Sequence, residues 1–158
     1  MTSGPRAPGP HCPTPDLRVD EADLERLRCA ADAAFPFEVC GLLVGRDTEE
    51  ARWVEEVTLA LNLAGADARH RYVLDPEDFL ATERRARISG RRVVGIWHSH
   101  PGGTAIPSQL DLELAWREHS QLILAIDTLG SCEMRSWVLR RGRFVAQPIS
   151  RLGLLPGS

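Results

Sequence analysis

The chain has 158 residues, which fits one domain and suffices to bury a real core. With 43% hydrophobic and 26% charged residues it has the composition of a soluble globular protein, and its net charge of −3 gives no reason to expect nucleic-acid binding. No apolar run approaches membrane-span length, and none of Cys12, Cys29, Cys40 and Cys132 forms a Cys-x-x-Cys pair, which argues against a cysteine-based zinc knuckle and for a reduced, cytoplasmic protein. Residues 1–15, rich in Gly, Pro, Ser and Thr, read as a disordered tail in which His11 is incidental. They carry no apolar core that would make a signal peptide. Asp20 is a candidate N-cap for a helix that carries Leu24, Leu27 and Ala31 on one face, runs to about Ala34 and stops at Pro36. Residues 39–45 have the composition of a central strand, in which Cys40 packs as a small apolar residue. A polar turn over 47–50 leads to a second strand over 52–61.

Residues 62–69 read as a loop beside a substrate groove, ending at a surface histidine, His70. A short strand is expected over 71–74. Asp75 followed by Pro76 is a helix start, a cap and then proline at the first helical position, and that helix runs to about Ser89 before Gly90. The basic residues between Arg84 and Arg92 are interleaved with acids and read as a solvated face, with a patch for an acidic partner as the alternative. A Val- and Ile-rich strand is expected over 91–100, then a helix from near Ser108 to near Ser120 with His119 at its far end. Residues 121–127 have the composition of a buried strand, 128–131 of a turn, and 132–140 of a strand. Arg141-Gly142 is a hairpin turn, 144–149 the last strand, and 153–158 a frayed tail. One catalytic-size domain over 16–152 follows, and the order of elements fits a sheet with helices on both faces.

The string His98-Ser99-His100-Pro101, followed by Ser108 and Asp111, carries the chemistry. On a strand, residues i and i+2 share a face, so His98 and His100 project together while Trp97 and Ser99 point the other way, into a structural role. Pro101-Gly102-Gly103 ends the strand, and the loop through Pro107 brings Asp111 back in the first turn of a helix. Two imidazoles and one carboxylate are what a catalytic zinc takes from a protein, leaving one position for water. Taken singly, each part has a plainer reading. A His-x-His pair is commonly a surface or satisfied core pair, and Ser108-x-x-Asp111 is a capping-box pattern that only starts a helix.

The pattern His-x-His, seven residues, Ser-x-x-Asp resembles the JAMM motif of the JAB1/MPN/Mov34 metalloproteases. The segment Phe35 to Gly45, with Glu38 before Cys40-Gly41-Leu42-Leu43, is similar to that family's Pro-x-Glu-x-Cys-Gly-Leu-Leu-x-Gly signature. Asn62 and the stretch Tyr72 to Pro76 resemble its middle portion. The resemblance covers residues 20–150. It implies an α/β three-layer sandwich, a mixed sheet between helices with the MPN fold and cytidine-deaminase-like topology. It also implies one zinc per chain held by His98, His100 and Asp111, with Glu38, on a neighbouring strand, moving protons as base and acid and Ser108 donating to the oxyanion. The deaminase chemistry itself is not expected, because the Pro-Cys-x-x-Cys element is missing.

By the same resemblance the substrate is a ubiquitin-like or sulfur-carrier protein ending in Gly-Gly, cut at a peptide or isopeptide bond. The chain looks like the small stand-alone prokaryotic members, and residues 132–137 resemble the subgroup acting on sulfur carriers. Neither nucleic acid nor membrane is expected as a partner, and a homodimer is compatible with the sequence. The alternatives are a non-catalytic MPN scaffold, which usually lacks a ligand that is present here, and a RadC-like DNA-associated protein, which normally carries a helix-hairpin-helix module upstream.

Overall fold

In the computed structural model, residues 13–153 are described. The expected N-terminal tail up to residue 12, with His11 and Cys12, and the expected C-terminal tail from residue 154 lie outside them. The first element is a strand that the sequence reading missed, β1 (Asp16–Asp20). It is short, and its apolar positions, Leu17 and Val19, alternate over only five residues. Helix α1 (Glu21–Ala34) follows directly, with the Asp20 side chain accepting from the Ala22 N–H as the expected N-cap. Leu24, Leu27 and Ala31 face the core. The hairpin β2 (Cys40–Asp47) and β3 (Ala51–Ala60) comes next.

A turn of 3-10 helix (Gly65–Asp67) lies in the loop that follows β3. The strand expected over 71–74 is not formed; only a single bridge joins Asn62 and Leu74. Asn62 takes the hydrogen bonds that a strand would have used there. Helix α2 (Pro76–Ile88) is capped by Asp75 with Pro76 at its start. Strand β4 (Arg92–Pro101) leads to α3 (Gln109–Leu114), much shorter than the helix expected to run to Ser120. The chain turns extended at Ala115 because Ser120 already begins β5 (Ser120–Ile126), every residue of which is buried. Strand β6 (Cys132–Arg140) and β7 (Arg143–Gln147) form the expected hairpin, turned by Arg141 and Gly142, both at positive φ. The one strand expected over 144–149 is in fact two, since β8 (Ile149–Leu152) leaves β7 and pairs with β1.

The eight strands form one mixed sheet in the order β7-β6-β5-β4-β2-β3-β1-β8. Neighbours are parallel at β4/β5, β1/β3 and β1/β8 and antiparallel elsewhere. Helices α1 and α2 cover opposite faces, as a three-layer α/β arrangement requires. Leu24, Leu27 and Ala31 of α1 pack with Leu43, Val94, Trp97 and Leu124, whereas Ala86 of α2 packs with Cys40, Leu42, Val44 and Ile96. Only Pro148 separates β7 from β8, although they are the two outermost strands, so the sheet's edges meet at that corner. Gln147 fastens them: its amide accepts from Ser136 on β6 (2.7 Å) and donates to the Pro15 carbonyl ahead of β1 (2.8 Å). Arg85 and Arg91 pair with Glu56, Arg87 with Glu83, and Arg92 with Asp47, which accounts for much of the basic segment. No helix among the described residues is long and apolar enough to cross a membrane.

Two local features aim β4. The register of β2 against β4 slips between Leu43 and Val44: Leu43 faces Gly95 and Val44 faces Val93, so Val94 is an extra residue. This bulge puts Val93 and Ile96 on the α2 side and Val94 and Trp97 on the α1 side. Trp97 then lies across Gly41, its partner in register, and its indole N–H donates to the Thr58 carbonyl of β3 (2.8 Å). A Cβ on Gly41 would overlap both that carbonyl and the indole nitrogen. Gly41→Ala is therefore expected to lower stability by about 2 kcal/mol, the scale of forced overpacking in a tight core. Urea unfolding measures this, and a wild-type midpoint would mean the indole moves aside at no cost.

Candidate metal centre

Past the bulge, alternation along β4 places His98 and His100 on the α2 side. Helix α3 starts at Ser108, whose hydroxyl accepts from the Asp111 N–H (3.1 Å) while the Ser108 N–H donates to an Asp111 carboxylate oxygen (2.7 Å). The capping box is thus real, and Ser108 caps through its side chain as well as its backbone. It also serves the site, because it fixes the Asp111 carboxylate toward the two histidines. His98 Nε2 and His100 Nε2 lie 3.0 Å apart, and the Asp111 oxygens are 3.2 and 3.3 Å from them. Zinc bonds of 2.0–2.1 Å at tetrahedral angles place neighbouring ligand atoms about 3.3 Å apart; each of these separations is near that value, the two histidines meeting different Asp111 oxygens, and one ligand atom from each residue lies within 4.8 Å of the others in this triangle.

The donor chemistry agrees. His100 Nδ1 lies 2.7 Å from the Thr104 carbonyl, which can only accept, so Nδ1 carries the proton and Nε2 is the nitrogen that the neutral ring would offer to a metal. Two ring nitrogens and a carboxylate thus converge where a cation would relieve their mutual repulsion. His98 is wholly buried and Asp111 nearly so. Burial alone would raise Asp111, but the neighbouring histidines outweigh it and hold the carboxyl well below the usual carboxylate range. Burial pushes His98 toward its neutral form. The same burial opposes the charged form of His100, but Asp111 and Thr104 raise it overall.

Glu38 lines the same groove as His100 and Ser108, a cavity of about 430 Å³ also walled by Arg69, Ile106 and Pro107. Contrary to expectation it is not on a strand; it sits two residues before β2, in the extended approach to Cys40. There its backbone is free to be gripped by side chains and loops. The Glu38 N–H donates to the Ala68 carbonyl (2.6 Å), and its carbonyl accepts from the Asn62 amide (2.9 Å). Next to it, the Val39 N–H donates to the Ser99 hydroxyl (3.0 Å), which is the structural role of Ser99. Burial pushes the Glu38 carboxyl up to about 7, with His100 opposing and Asp111 adding to the rise. A carboxyl near neutrality is suited to both taking and giving a proton.

His70 lines the groove but stands outside the triangle, exposed. His119 is remote from the triangle and packs edge-on against Phe79 and Trp116. Cys40 is fully buried and its thiol is pushed up to about 12 by burial, which fits a packing residue rather than a nucleophile. Three residues with parts in the site went unassigned in the sequence: Asn62, Tyr72 and Thr104. Tyr72 stacks on His98 with ring centroids 4.4 Å apart. Asn62 and Tyr72, noted in the sequence only as resembling the family's middle portion, reach Glu38 and His98 from far along the chain, while Thr104 meets His100 through its backbone carbonyl, which no side-chain pattern announces.

A family model described as prokaryotic homologs of the JAB domain matches residues 20–140. The chain is 38% identical over 114 residues to the desampylase of Haloferax volcanii, covering 70% of this chain and 80% of that one. It is 30% identical over 131 residues to a Thermus thermophilus protein named "Probable TtuB-protein conjugate cleaving protease", covering 82% of this chain and 80% of that one. Among solved structures it is similar to a protein from Desulfitobacterium hafniense, with a TM-score of 0.77, 28% identity, and coverage of 89% of this chain and 95% of that chain.

The Asn62 amide is saturated: it donates to the Glu38 and Arg71 carbonyls and accepts from the Ala64 and Val73 N–H groups. Asn62→Ala leaves those partners without it and should cost about 2 kcal/mol. Amide exchange at Ala64 and Val73 should accelerate while β4 and β5 stay protected. Unchanged exchange at both positions would show that the amide does not hold this loop.

Proposed function

This chain belongs to the prokaryotic JAB-domain family, and from that premise we propose that it is a zinc metallopeptidase. Its reaction is hydrolysis of the amide bond after the C-terminal Gly-Gly of a ubiquitin-like or sulfur-carrier protein. The observation that carries this reading is the convergence of His98, His100 and Asp111, with His100 lining the groove that also holds Glu38 and Ser108. The two relatives named above, a desampylase and a conjugate-cleaving protease, support a conjugate as substrate.

His98, His100 and Asp111 would hold one zinc ion per chain, which would supply Lewis-acid polarisation of water and of the scissile carbonyl. Glu38 accepts a proton from the attacking water and returns it to the leaving nitrogen, so that water and amide become carboxylic acid and amine, which leave as carboxylate and ammonium once the acid's proton passes to the amine. Its fixed backbone keeps the carboxyl at the groove wall through both transfers. The Ser108 hydroxyl accepts from the Asp111 N–H, which leaves its own proton to donate toward the developing oxyanion. Ile106 and Pro107 give the groove an apolar wall against which an extended Gly-Gly tail can lie. The three complete ligands and the placed glutamate favour this reading over a non-catalytic scaffold, which needs neither.

Purified protein should contain about one zinc per chain, and His100→Ala should lose it. Glu38→Gln should keep zinc and lose nearly all cleavage of a carrier protein extended past its Gly-Gly terminus. Ser108→Ala should keep zinc and lower kcat about 100-fold with KM little changed. Elemental analysis and single-turnover cleavage read these outcomes. A zinc-loaded Glu38→Gln protein that cleaves at the wild-type rate would refute the mechanism. A zinc-loaded wild-type protein inert toward every Gly-Gly carrier of its host would favour a scaffold.

A further inference from the structure

We propose that Tyr72 is a positioning residue that sets the ring plane of His98 for the metal. This rests on the reading of His98 as a ligand. A ligating imidazole is normally oriented by a hydrogen bond to its second nitrogen. His100 has such a bond, from Nδ1 to the Thr104 carbonyl. His98 does not: its Nδ1 is buried and has no hydrogen-bond partner among the described residues. Without another restraint, the ring could turn about its Cβ–Cγ bond and swing Nε2 out of the triangle.

The Tyr72 ring supplies that restraint. It lies on the imidazole with centroids 4.4 Å apart and planes 28° from parallel. Turning His98 would drive a ring edge into the tyrosine face. The platform is itself fixed, for Tyr72 is 7% exposed and packs with Cys40, Leu42, Ile96 and Ala86. Its backbone neighbours on both sides are tied to one amide, Asn62, which donates to the Arg71 carbonyl and accepts from the Val73 N–H. One imidazole is thus oriented through a hydrogen bond and the other through an aromatic face.

The test compares Tyr72→Phe, which keeps the ring, with Tyr72→Leu, which keeps apolar bulk and removes it. Zinc affinity is measured by competition with a chromophoric chelator, and ligand geometry by the visible spectrum of the cobalt-loaded proteins. Tyr72→Phe should bind zinc as wild type does. Tyr72→Leu should bind about tenfold more weakly, the low end of what loss of an orienting partner costs a metal site, and its cobalt bands should shift. A residue that only filled space would lower the unfolding midpoint of the metal-free protein and leave both metal readouts unchanged. Wild-type affinity in Tyr72→Leu, or equal weakening in Tyr72→Phe, overturns the proposal. His98→Ala run alongside separates the two readings: if it binds zinc as wild type does, His98 is not a ligand and the metal site itself is misassigned. Should Tyr72→Leu fail to fold, the zinc-loaded wild type decides. The ring protons of His98 should resonate upfield under the tyrosine face, and their absence from that region would refute the stacking.

Discussion

A single strand has to satisfy opposite demands on its two faces, and the rest of the molecule is arranged around that. On the α1 side β4 must bury Trp97 and tie Ser99 to Val39; on the α2 side it must present His98 and His100. The period of two settles which residue goes where only once the phase is set. The bulge at Val94 sets it. With the bulge, the valine pair at 93 and 94 and the pair Ile96 and Trp97 each divide between the two faces, and the histidines follow in phase with Ile96. Gly41 belongs to the same constraint, since the indole reaches Thr58 only by crossing a residue without a side chain.

Around that rigid strand, the loop between β3 and α2 does a second job. Asn62, Ala68 and Tyr72 all come from it. The first two hold the backbone of Glu38, and the third lies on His98. A loop of irregular backbone needs side-chain partners for its polar groups. Asn62 satisfies that need for Ala64, Arg71 and Val73 with one amide. The same bonds that let the loop exist therefore also locate the Glu38 carboxyl and the ring that lies on His98. Rigidity at the site comes from backbone hydrogen bonding outside the sheet as much as from the sheet.

The sequence was most legible where the determinant is local. Asp20, Asp75 and Pro76 announce helix starts, Arg141-Gly142 announces a hairpin, and His98-x-His100 on an apolar strand announces a shared face. It was least legible where pairing is between distant segments. Residues 144–149 look like one apolar strand, yet the chain crosses from one sheet edge to the other at Pro148, and only β1 explains why. β1 is equally hidden, five residues long and paired with β3 and β8. The helix after Ser108 was overestimated because Leu110, Leu114 and Ala115 keep helical spacing, while the demand of β5 for Ser120 ends it early. The grouping of His98, His100 and Asp111 could be found from spacing; Glu38 could be found only by resemblance, since nothing local distinguishes it from a surface carboxylate, and Asn62 and Tyr72 act through contacts no spacing encodes.

The division between sheet and loops bears on how such a site can be varied. His98 and His100 stand on a strand buried between two others, and Asp111 is fixed by a capping box that also starts α3. A change at any of these disturbs the core or a helix start together with the triangle. The groove walls are different: Arg69, Ile106 and Pro107 are carried on connecting segments, and Arg69 and Ile106 are exposed. Substitution there alters what lies against the wall without touching the triangle. Glu38 stands between the two regimes, its side chain at the groove and its backbone gripped by Asn62 and Ala68. The His98, His100 and Asp111 group and Glu38 are thereby coupled to the fold, while the outer groove wall is coupled only to its own loops, so under the proposed function a change of substrate can proceed without rebuilding the metal site.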